Sequence, residues 1–347
     1  LAFAAEQNNL LFGHDPWSRP VATVGGALST DGIGYLASRY GSMGDQVIAL
    51  EAVIADGSII RTRPLVRQSS GPQLNGIFVG SEGTMGVITE VTVQMFPVPE
   101  RRKFMTLGFA SFDDGFRVVC DLFDTGLVPT LMDLTEEEPR IGAHGYRTIL
   151  YLGFDGPLSV VDAQVDYALM KTIESNGVDL GPGLTEQYWI TRHASGYRWR
   201  NSMQMLLPSK RWTLGHWGTR EYLHVALPVS AILEYKSFAE GIVKLYGLNI
   251  IESAVWTDPG LFSLLIEVNG LHPTDQELRM ANAVNLLLDG VLDRGGGIEY
   301  CHGMGSKLLG WKEKEWGDSV GLVRAIKSGL DADDTFNPGK ITLQENL

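Results

Sequence analysis

The chain has 347 residues, of which 44% are hydrophobic and 20% are charged, and its formal net charge at pH 7 is −13. This composition supports a large buried core and about two domains, and it excludes an intrinsically disordered chain. The acidic balance argues against nucleic acid and against an anionic membrane surface as partners, because both attract basic protein faces.

The two cysteines, Cys120 and Cys301, lie far apart in the sequence. Two cysteines cannot build a disulfide scaffold or a four-cysteine metal site, so we expect a reducing, cytoplasmic compartment. No apolar run reaches the roughly 20 residues of a membrane-spanning helix, and we therefore predict no transmembrane segment.

Residues 13–99 alternate short apolar runs with glycine-rich turns. The turn Asp56-Gly57 between two apolar runs indicates a β-hairpin. Two prolines at 97 and 99 end the region, since proline cannot continue a strand ladder. Strands are predicted at 46–54, 58–61, 77–79 and 87–94.

From residue 104 onward, strands and helices alternate, which indicates an α+β arrangement. Strands are predicted at 106–109, 148–154, 221–227, 249–256 and 261–268. Helices are predicted from their apolar spacing at 111–125, 158–176, 230–246, 275–293 and 311–330.

Three glycine-rich segments stand out in the first hundred residues. They are His14 to Gly34, Tyr40-Gly41 with Asp45, and Gly80-Ser-Glu-Gly-Thr-Met-Gly-Val-Ile88. Backbone N–H groups in such segments can point at phosphate oxygens, with the Ser18 and Thr23 hydroxyls as further donors. Each segment alone also fits an ordinary turn of a glycine-rich β domain. No segment matches the P-loop or the dinucleotide-binding fingerprint.

Taken together, these segments resemble the PCMH-type FAD-binding domain of the vanillyl-alcohol oxidase superfamily. The match is to the branch that holds D-lactate and glycolate dehydrogenases and alkyldihydroxyacetonephosphate synthase. The later motifs Cys301-His-Gly-Met-Gly305 and Asn337-Pro-Gly-Lys340 resemble the closing motifs of the same family. The resemblance implies an α+β fold, with a two-part FAD-binding domain and an α+β cap domain that contains an antiparallel sheet.

The resemblance also implies a division of the chain. We expect the second half of the FAD-binding domain at 1–103, the cap or substrate domain at 104–325, and a C-terminal segment returning to the FAD domain at 326–347. The family's earlier glycine-rich loop, which grips the pyrophosphate, has no counterpart before His14. An upstream segment or a second chain is therefore expected to complete the domain, and we expect a homodimer.

FAD is the cofactor that the resemblance implies. The family places the pyrophosphate near 17–23 and 25–26, where the candidate residues are Trp17, Ser18, Ala22, Thr23, Gly25 and Gly26. Asp15 and Pro16, just before this stretch, are further cofactor-binding candidates. It places the flavin and its ribityl–phosphate arm beside Thr30, Asp31, Gly32, Ile33, Glu82, Gly83, Thr84, Gly86, Val87 and Ile88. Because Glu82 is acidic, hydrogen bonds to ribityl or adenosine hydroxyls, or a helix cap, suit it better than phosphate.

The catalytic candidates are His302, the flanking Tyr300 and Arg192. In the family, the loop of His302 faces the flavin ring. A histidine that titrates near neutrality suits proton transfer from a substrate hydroxyl, although a hydrogen bond to flavin or backbone is the alternative. Arg192 could bind a substrate carboxylate or phosphate, or its stem could simply cover aromatic surface.

No metal is predicted. The hydroxy-acid dehydrogenase branch binds a divalent metal through His-x-Gly-Asp-Gly-Asn and Gly-Glu-His-Gly motifs. In this sequence 253–260 contains no histidine, and Cys301 stands in place of the glutamate. Two kinds of ligand are therefore missing from the family's pattern.

We therefore predict an FAD-dependent oxidoreductase, a dehydrogenase or oxidase. It would oxidise a hydroxyl-bearing small molecule, either a 2-hydroxy acid or an alcohol, by hydride transfer to flavin N5. One alternative is a flavin transferase similar to alkyldihydroxyacetonephosphate synthase. The other is a non-catalytic flavin-binding subunit.

Overall fold

The computed structural model describes residues 1–137, 145–205, 220–269 and 273–341. The strands are β1 Leu10–Leu11, β2 Val47–Val53, β3 Ile59–Arg61, β4 Val87–Val93, β5 Phe96–Pro97, β6 Arg101–Phe109, β7 Leu131–Glu137, β8 Thr148–Gly156, β9 Val178–Asp179, β10 Arg220–Ala226, β11 Asn249–Trp256 and β12 Leu261–Glu267. The helices are α1 Ala2–Gln7, α2 Val24–Ser29, α3 Ala37–Tyr40, α4 Asn75–Phe78, α5 Phe112–Asp124, α6 Leu158–Glu174, α7 Gly183–Thr191, α8 Ala194–Gln204, α9 Ile232–Leu245, α10 Pro273–Leu292, α11 Lys312–Trp316 and α12 Val320–Leu330.

A small antiparallel sheet of order β3-β2-β4 supports the glycine-rich segments. The predicted hairpin is confirmed, since β2 and β3 pair around the Asp56-Gly57 turn. Leu50 and Phe78 belong to the core beneath this sheet. The strand predicted at 77–79 is wrong. Residues 77 and 78 form the end of a single helical turn, α4, which buries Phe78. So short an apolar run has no periodicity that separates strand from helix.

A second sheet has the order β10-β12-β11-β7-β8-β6-β9, and its neighbouring strands pair antiparallel. Side chains alternate between its two faces. One face, with Leu134, Leu152 and Phe262, is buried in a core that also includes residues of α5, α6, α9 and α10. This arrangement confirms the predicted α+β fold with an antiparallel sheet.

The opposite face of this sheet carries polar and aromatic side chains, and we call it the polar sheet face. Its register places Asp133 opposite Trp256 and Tyr151, and Glu137 opposite Glu252. Its members are Asp133, Thr135, Glu137, Tyr151, Tyr222, His224, Glu252, Trp256 and Ser263.

The C-terminal helix α12 packs against the core of the small sheet through Val323, Ile326 and Leu330. Lys327 is fully buried; it pairs with Asp331 and donates a 2.9 Å hydrogen bond to the carbonyl of Thr84. The predicted boundaries stay predictions, although Val323 already contacts this core and β6 begins at residue 101. Residues 342–347 of the predicted segment lie outside the described part of the chain.

The helix predicted at 311–330 is divided in two. Gly317 has a φ of +48°, a left-handed conformation that ends α11 and that glycine adopts without strain. After a 3₁₀ turn the chain resumes as α12. Within the four described ranges, no helix combines the length and apolar character needed to cross a bilayer.

Candidate active site

A cavity of about 200 Å³ lies where the first glycine-rich segment meets the loop of His302. The predicted cofactor residues in its walls are Pro16, Trp17, Ser18, Ala22, Thr23, Gly26, Thr30, Gly32 and Ile33. His14, Ala27, Cys301 and His302 complete the lining. One cavity is therefore formed by two segments of the chain. The first ends at Ile33 and the second begins at Cys301, nearly 270 residues later.

The cavity offers polar atoms that the protein itself does not use. Nδ1 of His14 is buried and has no hydrogen-bond partner among the residues that the structure describes. Burial lowers the pKa of His14 to about 4, so its ring is neutral. The Thr23 hydroxyl accepts a 3.0 Å hydrogen bond from the N–H of Gly26 and still has its own proton to donate. A buried polar atom without a partner is satisfied by a polar ligand. These residues therefore fit a nucleotide cofactor.

The carboxylate of Asp15 is paired with side chains of the protein itself, and Asp15 does not line the cavity. Its carboxylate lies 2.7 Å from Arg192 Nε and 2.9 Å from His193 Nε2. Burial acts to raise the pKa of Asp15, but His193 and Arg192 together hold it at about 2. The predicted contact of Asp15 with FAD stays a prediction.

Glu82 joins three distant segments. Its carboxylate accepts hydrogen bonds from the backbone N–H groups of Met304, at 2.7 Å, and Gly305, at 2.9 Å. It also pairs with Lys340, while Asn337 donates its side-chain N–H to the Glu82 carbonyl. Glu82 therefore positions the loop that carries His302. Its predicted hydrogen bonds to FAD hydroxyls stay a prediction.

The remaining predicted cofactor residues lie outside the walls of this cavity, and their contacts with FAD stay predictions. Asp31 accepts a 2.8 Å hydrogen bond from the N–H of Gly44. A Cβ on Gly86 would lie 2.7 Å from the carbonyl of Val53, so only glycine fits against β2 there. Gly83 and Thr84 precede β4, and Val87 and Ile88 begin it. Gly25 lies in α2, where a Cβ would be 3.8 Å from the carbonyl of Ile88.

His302 is half-exposed at the mouth of the cavity. Its Nδ1 lies 3.7 Å from Glu299 Oε1 and its Nε2 lies 3.7 Å from Cys301 Sγ. Burial acts to lower the pKa of His302, but the contacts with Cys301 and Glu299 outweigh it and raise the pKa to about 10. This pKa differs from the near-neutral value that we expect for His302 from the sequence, because Cys301 and Glu299 both favour its imidazolium.

His224 on β10 lies edge-on to His302, with 4.8 Å between the ring centroids. Burial and the charge of His302 lower the pKa of His224 to about 4. A neutral imidazole therefore lies beside an imidazolium. The sequence places Tyr222 and His224 on one face of a strand, but nothing in it brings that face to His302.

Tyr300 and Arg192, the other catalytic candidates, are both engaged. The Tyr300 hydroxyl shares a 2.6 Å hydrogen bond with Ser263, and burial raises its pKa well above the usual value, so it stays protonated. Arg192 is bound to Asp15 and donates a 2.6 Å hydrogen bond to the carbonyl of Trp189. Catalytic roles for both residues stay predictions.

One trio of side chains has the composition of a metal site. Ligand atoms of His224, Glu299 and His302 all lie within 4.8 Å of one another. A histidine must be neutral to bind a metal, whereas the raised pKa keeps His302 protonated at neutral pH. The absence of a metal stays a prediction.

Dialysis against EDTA is expected to leave both the flavin absorbance and the rate of flavin reduction unchanged. The reason is that two of the family's metal ligands are missing from the sequence, and that the carboxylate of Glu299 lies 3.7 Å from the protonated ring of His302 and supplies a counter-charge to it. Assay of the dialysed protein with and without added Zn²⁺ or Mn²⁺ checks this. Activity that is lost on dialysis and restored by either ion would contradict it.

Comparison with known proteins bears on this site. The family model for "FAD linked oxidases, C-terminal domain" matches residues 98–341, and the model for the "FAD binding domain" matches residues 1–63. The chain belongs to the FAD-linked oxidase family. Its cofactor is FAD, and the family match supports an FAD-dependent oxidoreductase.

Individual relatives extend along almost the whole chain. The glycolate oxidase subunit GlcD of Bacillus subtilis (strain 168) is 26% identical, over 97% of this chain and 72% of that protein. A D-lactate dehydrogenase of Archaeoglobus fulgidus is 28% identical, over 97% of this chain and 73% of that protein. These relatives confirm the predicted branch.

Solved structures share the fold. An alkyldihydroxyacetonephosphate synthase aligns with a TM-score of 0.71 at 18% identity, over 97% of this chain. This chain spans 62% of the length of that synthase. The p-cresol methylhydroxylase structure with substrate bound aligns with a TM-score of 0.71 at 16% identity, over 98% of this chain and 73% of that one.

Proposed function

We propose that this chain oxidises a hydroxyl-bearing small molecule, the reaction class of an FAD-dependent alcohol or 2-hydroxy acid oxidoreductase. The observation that supports the proposal is the pair His302 and His224, one charged and one neutral: His302 lines the cavity whose walls hold residues predicted to bind FAD, and His224 lies beside it. The names of the glycolate oxidase subunit and the D-lactate dehydrogenase support the same reaction class.

The two histidines divide the work on the substrate hydroxyl. Bound FAD supplies the acceptor for the hydride that leaves the hydroxyl-bearing carbon. The neutral ring of His224 accepts the hydroxyl proton, and the imidazolium of His302 hydrogen-bonds the oxygen as negative charge develops on it. Contacts with Cys301 and Glu299 favour the charged form of His302. The products are a carbonyl compound, reduced flavin and a proton on His224.

Anaerobic mixing of the FAD-loaded protein with a panel of alcohols and 2-hydroxy acids tests this proposal. We expect at least one compound to bleach the flavin absorbance and to yield the matching aldehyde, ketone or keto acid. A flavin adduct spectrum without a carbonyl product would instead support a transferase similar to the synthase. An unchanged flavin across the whole panel would support the non-catalytic binding subunit.

A homodimer and a cytoplasmic location are further proposals. The location is supported by the presence of only two cysteines, both of which are free. Light scattering during size-exclusion chromatography measures the mass in solution, and twice the chain mass would support the dimer.

A further inference from the structure

Helices α7 and α8 lie against one wall of the cavity. We call residues 15–20 the wall segment, since residues 16–18 within it line the cavity. A Cβ on Gly196 of α8 would overlap the carbonyl oxygen of Trp17 and lie 3.0 Å from Pro20 Cδ. Glycine at this position therefore allows α8 to approach the backbone of the wall segment directly.

The junction of the two helices holds the carboxylate of Asp15, the first residue of the wall segment. Arg192 follows the last residue of α7, and His193 precedes the first residue of α8. The Arg192 Nε donates a 2.7 Å hydrogen bond to Asp15 Oδ2, and His193 Nε2 lies 2.9 Å from Asp15 Oδ1. The side chains of Arg192 and Asp15 are 14% and 6% exposed. Removing one partner of so buried a pair leaves the other charge without compensation.

Tyr35 closes a ring of contacts around this pair. Its hydroxyl donates a 2.9 Å hydrogen bond to the carbonyl of Arg192, and its backbone N–H donates a 3.0 Å hydrogen bond to the carbonyl of Asp15. A Cβ on Gly34 would lie 2.5 Å from the carbonyl carbon of Asp15, so the chain after the cavity residue Ile33 packs against Asp15 as well. Asp15 is thus fixed through its backbone and through its side chain.

The Arg192 guanidinium is also held on the helix side. Its Nη1 donates a 2.6 Å hydrogen bond to the carbonyl of Trp189, and its central carbon lies 3.6 Å from the centroid of the Trp189 ring. A planar guanidinium can stack on a ring and donate to two acceptors at once, which an ammonium group cannot do. Arg192 therefore links α7 rigidly to the wall segment.

We propose that Arg192, acting through Asp15, positions the wall segment and so helps to retain FAD in the cavity. Pro16, Trp17 and Ser18 directly follow Asp15, so fixing Asp15 fixes the backbone that carries these cavity residues. Arg192 is then a positioning residue for the cofactor, and α7 and α8 support the cavity from outside. This role does not depend on the substrate, so the proposal and the proposed function can fail separately.

The rate at which the FAD-loaded protein releases its cofactor tests the proposal. The rise in flavin fluorescence after dilution measures this rate and requires no turnover. We expect Arg192→Met to speed release about tenfold, because it removes a hydrogen bond to a buried charge. His193 and Arg19, the latter 3.4 Å from the Asp15 carboxylate, keep part of the hold. Arg192→Lys keeps the charge and is expected to recover part of the loss. Unchanged release in Arg192→Met, the result expected of an arginine that contacts only substrate, overturns the proposal.

A double-mutant cycle shows whether Arg192 acts through Asp15. Asp15→Asn keeps the size of the side chain and removes its charge. In the Asp15→Asn background, Arg192→Met is expected to change the release rate less than about threefold, against about tenfold in the parent. An equal effect in both backgrounds overturns the assignment to this pair.

The contact of α8 is tested by Gly196→Ala, which places a methyl group against the carbonyl of Trp17 and leaves Arg192 and Asp15 unchanged. It is expected to speed FAD release, and a release rate equal to that of the parent would overturn the supporting role of α8.

Two control variants separate retention of FAD from charge and from overall stability. Arg117→Met removes an arginine on α5 that is 58% exposed, and it is expected to leave release unchanged. Leu122→Ala creates a cavity in the core of the larger sheet, away from the wall segment, and lowers stability. It is expected to change release less than about twofold. If either control speeds release as much as Arg192→Met does, the proposal is overturned.

Discussion

Replacing His302 with asparagine is expected to slow flavin reduction by about 10²–10³-fold, because removal of one donor to a developing oxyanion has effects of this size. The side chain is half-exposed and its loop is held by Glu82 through backbone N–H groups, so the fold should survive the change. Anaerobic stopped-flow absorbance measures the rate, and release of FAD by heat measures the cofactor content. A rate within about twofold of the parent would make His302 a structural residue.

Charge and basicity at this position can be separated. His302→Lys keeps a positive charge and is expected to recover part of the rate lost in His302→Asn.

The dependence of the flavin reduction rate on pH gives a second criterion. The imidazolium of His302 persists until the pH rises through about 10, and His224 stays neutral until the pH falls through about 4. Flavin reduction should therefore be flat near neutrality and fall at both limits. A rate that instead rises through pH 10 would identify His302 as the base.

Replacing Lys327 with methionine is expected to lower the free energy of unfolding by about 3–5 kcal/mol, because it leaves the buried Asp331 carboxylate without its partner. Lys327 also donates to the carbonyls of Thr84, at 2.9 Å, and Phe336, at 3.0 Å. Urea denaturation of the two proteins measures the difference.

Lys314→Met is the matched control, since the ion pair of Lys314 with Asp289 is exposed and is expected to contribute at most about 1 kcal/mol. Burial acts to raise the pKa of Asp331, but Lys327 and the N–H groups of Phe336 and Thr335 hold it at about 2. The stabilisation is therefore complete above the ordinary carboxyl pKa and is lost as the pH falls towards 2. Equal stability of Lys327→Met and Lys314→Met would contradict this account.

Local signals account for what the sequence predicts correctly. The Asp56-Gly57 turn specifies its hairpin within a few residues. The helices α5, α6, α9 and α10, which face the core, show the apolar spacing of an amphipathic helix in the sequence. Strand β7 escapes prediction because its outward positions include Asp133 and Glu137, residue types that are rare in strands. Those positions serve the polar sheet face rather than the strand. Helices α7 and α8 are also not predicted, because their many aromatic and arginine residues leave no regular apolar spacing in the sequence.

Some features of the candidate site can likewise be predicted from the sequence, and others depend on the tertiary structure. His302 is found from its motif, whereas strand alternation places Tyr222 and His224 on one face without showing that this face adjoins the site. The charge states of the two histidines are not predictable from the sequence, because they depend on Glu299 and on the burial of His224 in the fold. Likewise, the pairing of Arg192 with Asp15 joins residues 177 positions apart. Only the tertiary structure shows that this arginine is not free for an anion.

The contacts of Glu82 have a consequence for the order in which the protein assembles. Glu82 lies 222 residues from Met304 and 258 residues from Lys340, so each bond closes a very large loop of chain. Contacts of such high sequence separation form late in folding. During synthesis, Glu82 cannot hold the loop of His302 until Met304 and Gly305 have left the ribosome, and its own contacts with Asn337 and Lys340 form only after that. A nascent or C-terminally shortened chain would thus hold its glycine-rich segments in place before it could act on a substrate, and reactivity would be the last property the chain acquires.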